Sequence, residues 1–105
     1  MNKMHLQMGA ALGILQKRPR RVILTVLKRH GGRIAYEDVV SRVDPPTDRA
    51  VIELEHVHLP KLEEEGYITW FRDAKEFSRG PNFDEIEPFI ALFDRNADVL
   101  PCEWP

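Results

Sequence analysis

Two histidines, His56 and His58, lie two positions apart in a stretch rich in carboxylates, a pattern that raises metal chelation first. Residues two apart on a helix face away from each other, so one ion cannot easily bridge both. Cys102 is the sole cysteine, which leaves neither an internal disulfide nor a cysteine-rich metal site. Glu63, Glu64 and Glu65 are consecutive and read as a solvated charge run, not a catalytic carboxylate pair. Gly31-Gly32 lacks the residues that would complete a phosphate-cradling loop. Ser41 and Ser78 give no ground for a nucleophilic triad without a geometry to join them. The sequence therefore predicts no enzyme, no cofactor and no metal.

Recognition chemistry is left, and composition bounds it. A chain of 105 residues suits one domain with a single modest core. Its 43% hydrophobic, 30% charged and 9% aromatic content fits a soluble globular protein and argues against disorder. The longest apolar run, Phe89 to Phe93, is far too short for a bilayer, and the N-terminus lacks a signal-peptide pattern. A cytoplasmic protein is expected. The net charge of −2 hides an asymmetry: residues 1–36 hold eight basic and no acidic side chains, leaving seven basic and seventeen acidic in the remainder. Such a split can mark a basic face for nucleic acid, or two halves that attract each other within a chain or across a dimer.

The elements that would position these groups follow from periodicity. Residues 1–16 read as a helix, with Met4, Met8, Leu12 and Leu15 on an apolar face. Pro19 opens a second helix, whose stripe is Val22, Ile23, Val26 and Leu27 and whose other face carries Arg20, Arg21, Lys28 and Arg29. Gly31-Gly32 ends it, and Arg33-Ile34-Ala35 is a short extended link. A short helix from Tyr36 to Val43 stops at Asp44-Pro45-Pro46. Thr47 or Asp48 caps the next helix, with Val51, Leu54, Leu59 and Leu62 buried and Ile52 beside them. Pro60 removes the donor for the His56 carbonyl and predicts a kink.

That helix ends in a recognisable pattern: His58-Leu59, two residues, Leu62, three residues, then Gly66-Tyr67-Ile68. It resembles the end of the recognition helix in winged helix-turn-helix regulators of the ArsR-like group. The fuller His56-Val57-His58-Leu59-Pro60-Lys61-Leu62, with Gly31-Gly32 after the preceding helix, is similar to an archaeal subset of uncharacterised winged-helix domains. The likeness covers about Pro19 to Arg79. It departs at His56 and Val57, where the ArsR-like pattern often has Ser or Thr and another polar residue. The resemblance implies that Arg33-Ile34-Ala35 joins a small sheet and that a β-hairpin around Arg72-Asp73-Ala74-Lys75 is the wing.

The expected fold is mainly α with a small β-hairpin, α+β in class: a winged helix-turn-helix core over residues 19–79. Extra terminal helices span residues 1–16 and 84–96, followed by an extended tail over residues 97–105. The expected function is a sequence-specific transcriptional regulator on double-stranded DNA, acting as a dimeric repressor. Arg49 would donate to guanine and His56 to guanine or phosphate, Glu53 would accept from cytosine, and Lys61 would meet phosphate. Arg72, Lys75 and Arg79 would lie at or near the wing tip. Met4, Met8, Leu12, Leu15, Ile86, Phe89, Ile90 and Phe93 would form the homodimer interface. The acidic crowd Glu53, Glu55, Glu63, Glu64 and Glu65 supports an alternative, a winged-helix protein–protein interaction module that does not bind DNA.

Overall fold

Val22, Ile23, Leu24, Thr25, Val26 and Leu27 are all buried, six residues in a row, so the helix that holds them is enclosed on every side. The computed structural model, which describes residues 8–42 and 47–105, is built around this helix. Met4 and Val43 fall outside the described residues. The elements run α1 (Met8–Leu15), α2 (Arg18–Arg29), β1 (Ile34–Ala35), α3 (Tyr36–Val40), α4 (Asp48–Glu53), a π turn (Leu54–His58), α5 (Leu59–Glu64), β2 (Ile68–Phe71), β3 (Glu76–Arg79) and α6 (Phe83–Arg95). A 3-10 turn (Ala97–Val99) then leads into the tail. The fold is mainly helical with a small antiparallel sheet of order β1-β3-β2. No described helix is long and apolar enough to cross a membrane.

The central α2 corrects the expected basic face. With α1, α6 and the π turn packed around its middle, Arg20, Arg21, Lys28 and Arg29 are displaced to its two ends. Part of the sequence's charge asymmetry is resolved internally: Lys28 and Arg29 pair with Asp94, and Arg33 pairs with Glu76.

The end of α5 shows why the chain reverses where it does. Gly66 has φ +80, and a Cβ there would lie 2.5 Å from the Asn82 Nδ2. Its N–H donates to the Glu63 carbonyl, and the Tyr67 N–H donates to the Leu62 carbonyl, the paired bonds of a Schellman stop. Gly80 packs so closely on this stop that a Cβ would meet the Gly66 carbonyl oxygen at 2.5 Å. These two glycines lock the base of the hairpin to the end of the helix.

Three element boundaries differ from the sequence expectation. α3 ends at Val40, with Val39 buried and Val40 half-buried. α6 starts at Phe83 and holds Pro88 inside it, which removes the N–H that would donate to the Asp84 carbonyl. The tail is not simply extended: it folds back so that Trp104 stacks on Phe93 with ring centroids 5.1 Å apart.

Candidate functional site

Thr47 caps α4, its hydroxyl accepting from the Ala50 N–H at 3.1 Å. α4, the π turn and α5 then follow without a break in right-handed backbone geometry, forming one helical rod. Where Pro60 predicted a kink, the rod has a widened turn: the Leu59 N–H donates to the Leu54 carbonyl, five residues back. In an uninterrupted α-helix, residues five apart would lie roughly 140° apart around the axis. Here Leu54 and Leu59 are both buried, because the extra residue in the turn brings them to one side.

The same widening sets the outward face. Arg49 is 89% exposed in its side chain and lies 3.8 Å from Glu53 across one helical turn. His56, further along the rod, is exposed as well. Ile52, expected next to the buried stripe, is instead 56% exposed, and Val57 is 47% exposed. The buried side is Leu54, His58, Leu59 and Leu62, with Val51 half-buried.

His58 is thus a core residue. Its Nδ1 accepts from Arg20 Nε at 3.2 Å, which joins the rod to the start of α2. Burial lowers its pKa, the Arg20 charge lowers it further, Glu53 works against these, and Lys17 adds to them. The imidazole is therefore held neutral with Nδ1 unprotonated.

Across from the rod stands the hairpin. Its register pairs Thr69 with Ser78, Trp70 with Phe77 and Phe71 with Glu76, leaving residues 72–75 as the turn. Lys75 closes that turn at φ 54, an unusual conformation for a side-chain-bearing residue. Its carbonyl accepts from the Tyr36 N–H at 2.9 Å, so α3 braces the hairpin turn. Rod and hairpin enclose an open groove of about 410 Å3, lined by Tyr36, Glu55, His56, Pro60, Trp70, Arg72 and Lys75. Tyr36 and Trp70 meet at a tilt with centroids 5.6 Å apart. Burial and the Glu55 carboxylate push the Tyr36 hydroxyl up to about 12.

The predicted contact residues separate into two groups. Arg49, Glu53, His56 and Lys75 are exposed on the rod or at the hairpin turn. Lys61 is held by Glu65 at 3.2 Å and Glu64 at 3.7 Å, and Arg72 by Glu63 at 3.2 Å. Arg79 is not at the hairpin tip. It ends β3 at the hairpin base, where Nε donates to the Leu27 carbonyl at 3.1 Å and Nη2 to the Lys28 carbonyl at 3.0 Å. Its guanidinium also lies over the Phe83 ring. Arg79 therefore caps the end of α2 and is spent on the fold.

The residues expected between two copies divide in the same way. Met8 and Leu12 are exposed. Leu15, Ile86 and Ile90 are core residues of the single chain, and Phe89 and Phe93 pack against that core. The predicted apolar face of α6 is largely consumed by α2. Sequence reasoning missed Asp94, which accepts from Lys28 Nζ, Arg29 Nη2 and Trp104 Nε1. An isolated aspartate near a helix end carries no signal of such a role. Compared with protein-family models, curated proteins and solved structures, the chain has no match in any of the three.

Proposed function

We propose that the chain is a winged helix-turn-helix protein that binds double-stranded DNA as a transcriptional regulator. The observation that carries this is the groove between rod and hairpin, lined by His56 from the rod and Lys75 from the hairpin turn, with Arg49 exposed nearer the start of the rod. A helix of this length can lie in a major groove with its first turns against base edges, while the hairpin reaches flanking backbone. The sheet order and the packing of α5 against β2 suit that architecture. Pairing of two copies would use the exposed Met8 and Leu12 of α1, and a repressor would act by covering its site.

The ion pairs of Lys61 and Arg72 with Glu63, Glu64 and Glu65 favour a second reading, a protein-interaction module on the same fold. Retention of mixed genomic DNA fragments at two salt concentrations separates the two. A regulator retains a few fragments selectively and loses them as salt rises. Arg49→Ala and Lys75→Ala should each weaken retention, and loss of a phosphate contact should reduce the salt slope by about 1. No retention at low salt overturns the DNA reading.

A further inference from the structure

Most of the rod's outward face is charged or polar, yet it carries two bare aliphatic side chains. Ile52 is 56% exposed and Val57 is 47% exposed, although both are β-branched apolar residues on a helix with a well-filled buried side. The other large exposed hydrophobics among the described residues, Met8, Leu12, Leu92 and Val99, lie on α1, on α6 and in the turn after it. Ile52 and Val57 are therefore a separate feature of the rod. They are also a consequence of its π turn. Five positions apart, they would diverge by roughly 140° on an uninterrupted α-helix. The widened turn between them narrows that divergence, and both stay exposed on a rod whose other exposed side chains include Arg49, Glu53 and His56.

Resting on the DNA reading above, we propose that Ile52 and Val57 determine specificity by packing on thymine C5-methyl groups. The major-groove floor offers hydrogen-bonding edges and one apolar feature, the thymine methyl. A guanidinium, an imidazole and a carboxylate interleaved with two aliphatic tips match a floor that mixes those edges with methyls. Arg49 and His56 then read guanine, Glu53 reads cytosine, and the aliphatic pair reads thymine. An apolar patch meant for a protein partner would be contiguous, whereas these two tips are set among charged neighbours.

The test selects duplexes from a randomised double-stranded pool with the wild-type chain. Each thymine of a selected duplex is then replaced by deoxyuridine, which removes only the methyl. At one or two positions the replacement should weaken binding by roughly three- to tenfold, as expected for losing one buried methyl contact. Ile52→Ala or Val57→Ala should abolish the thymine–uracil difference at its own position and keep that difference at the other's. Selected duplexes that bind equally with thymine and uracil throughout would overturn this proposal while leaving the DNA reading intact. Enrichment of no duplex, even at low salt, would overturn both and direct attention to a protein partner.

Discussion

At the C-terminal end of α2, cations are engaged by the fold. Lys28 and Arg29 reach the Asp94 carboxylate, whose side chain is only 12% exposed, and Arg79 donates to the last carbonyls of the helix. On the rod, by contrast, Arg49 projects into water, and at the hairpin turn Lys75 stands exposed where it lines the groove. The residue types are the same and the duties differ. An arginine becomes structural when folding delivers a carboxylate or a free carbonyl to it, and stays available when its neighbours are mobile surface groups. Surface pairs such as Arg49 with Glu53 are worth little, so Arg49 can exchange that partner for another at small expense.

The comparison breaks first at Asp94. Asp94→Ala removes the acceptor shared by α2 and the tail, and should cost about 2–3 kcal/mol in chemical denaturation. Burial alone would raise the Asp94 pKa, but hydrogen bonds from Arg29 and Trp104, the Arg29 charge and the Lys28 bond outweigh it and hold it low. A depressed carboxylate contributes stability that is full above the unfolded value, about 3.9, and is lost as pH falls through the folded one. Acid titration of wild type should show that loss, and Asp94→Ala should lack it. An unchanged acid limb in the variant would show that Lys28 and Arg29 do not depend on this carboxylate.

A matched pair of substitutions sharpens the contrast. Arg79→Ala strips two hydrogen bonds from the end of α2 and a cation from the Phe83 ring, and should lower stability by about 1–2 kcal/mol. Arg49→Ala should change stability by less than about 0.5 kcal/mol, as exposed positions do. DNA retention should respond in the opposite order. Equal stability losses in the two variants would erase the distinction between structural and available cations.

Much of this architecture was legible in the sequence, and what was not has physical causes. Pro19, the glycine stop at Gly66 and the hairpin strands were readable because proline and glycine act locally and strands alternate over a few residues. A strict 3.6-residue period places Ile52 beside the buried stripe, whereas the chain inserts a π turn just before Pro60 and leaves Ile52 exposed. Arg79 was assigned to the tip because its carbonyl partners, Leu27 and Lys28, lie 52 and 51 residues away in sequence. Asp94 and Trp104 were silent for the same reason: their roles exist only once α2, α6 and the tail converge. In the candidate site, identities and spacing named the cations, but only tertiary pairing could divide them.

Lys75 tests the available side from another direction. A left-handed conformation is disfavoured by roughly 1 kcal/mol for a residue with a Cβ and open to glycine. Lys75→Gly should therefore raise stability, by up to about 1 kcal/mol, while weakening DNA retention. A turn that kept a lysine for its charge should show this opposition. Gain in stability with retention unchanged would remove Lys75 from the interface.

The two histidines carry the comparison down to its smallest expected effect. His56 is exposed on the outward face, whereas His58 is 7% exposed and faces Arg20. Unfolded, the His58 imidazole takes up a proton as pH falls through about 6.5. In the folded chain His58 resists protonation, because burial comes first and the Arg20 charge adds to it. The unfolded state then binds more protons than the folded one between the unfolded and folded pKa values, so stability declines as pH falls through that window and levels below it. His58→Gln keeps an acceptor for Arg20 but cannot titrate, so its melting temperature should vary less between pH 7.5 and pH 5 than that of wild type. A His58 variant that kept the wild-type profile would show that this imidazole is not held against Arg20 inside the fold.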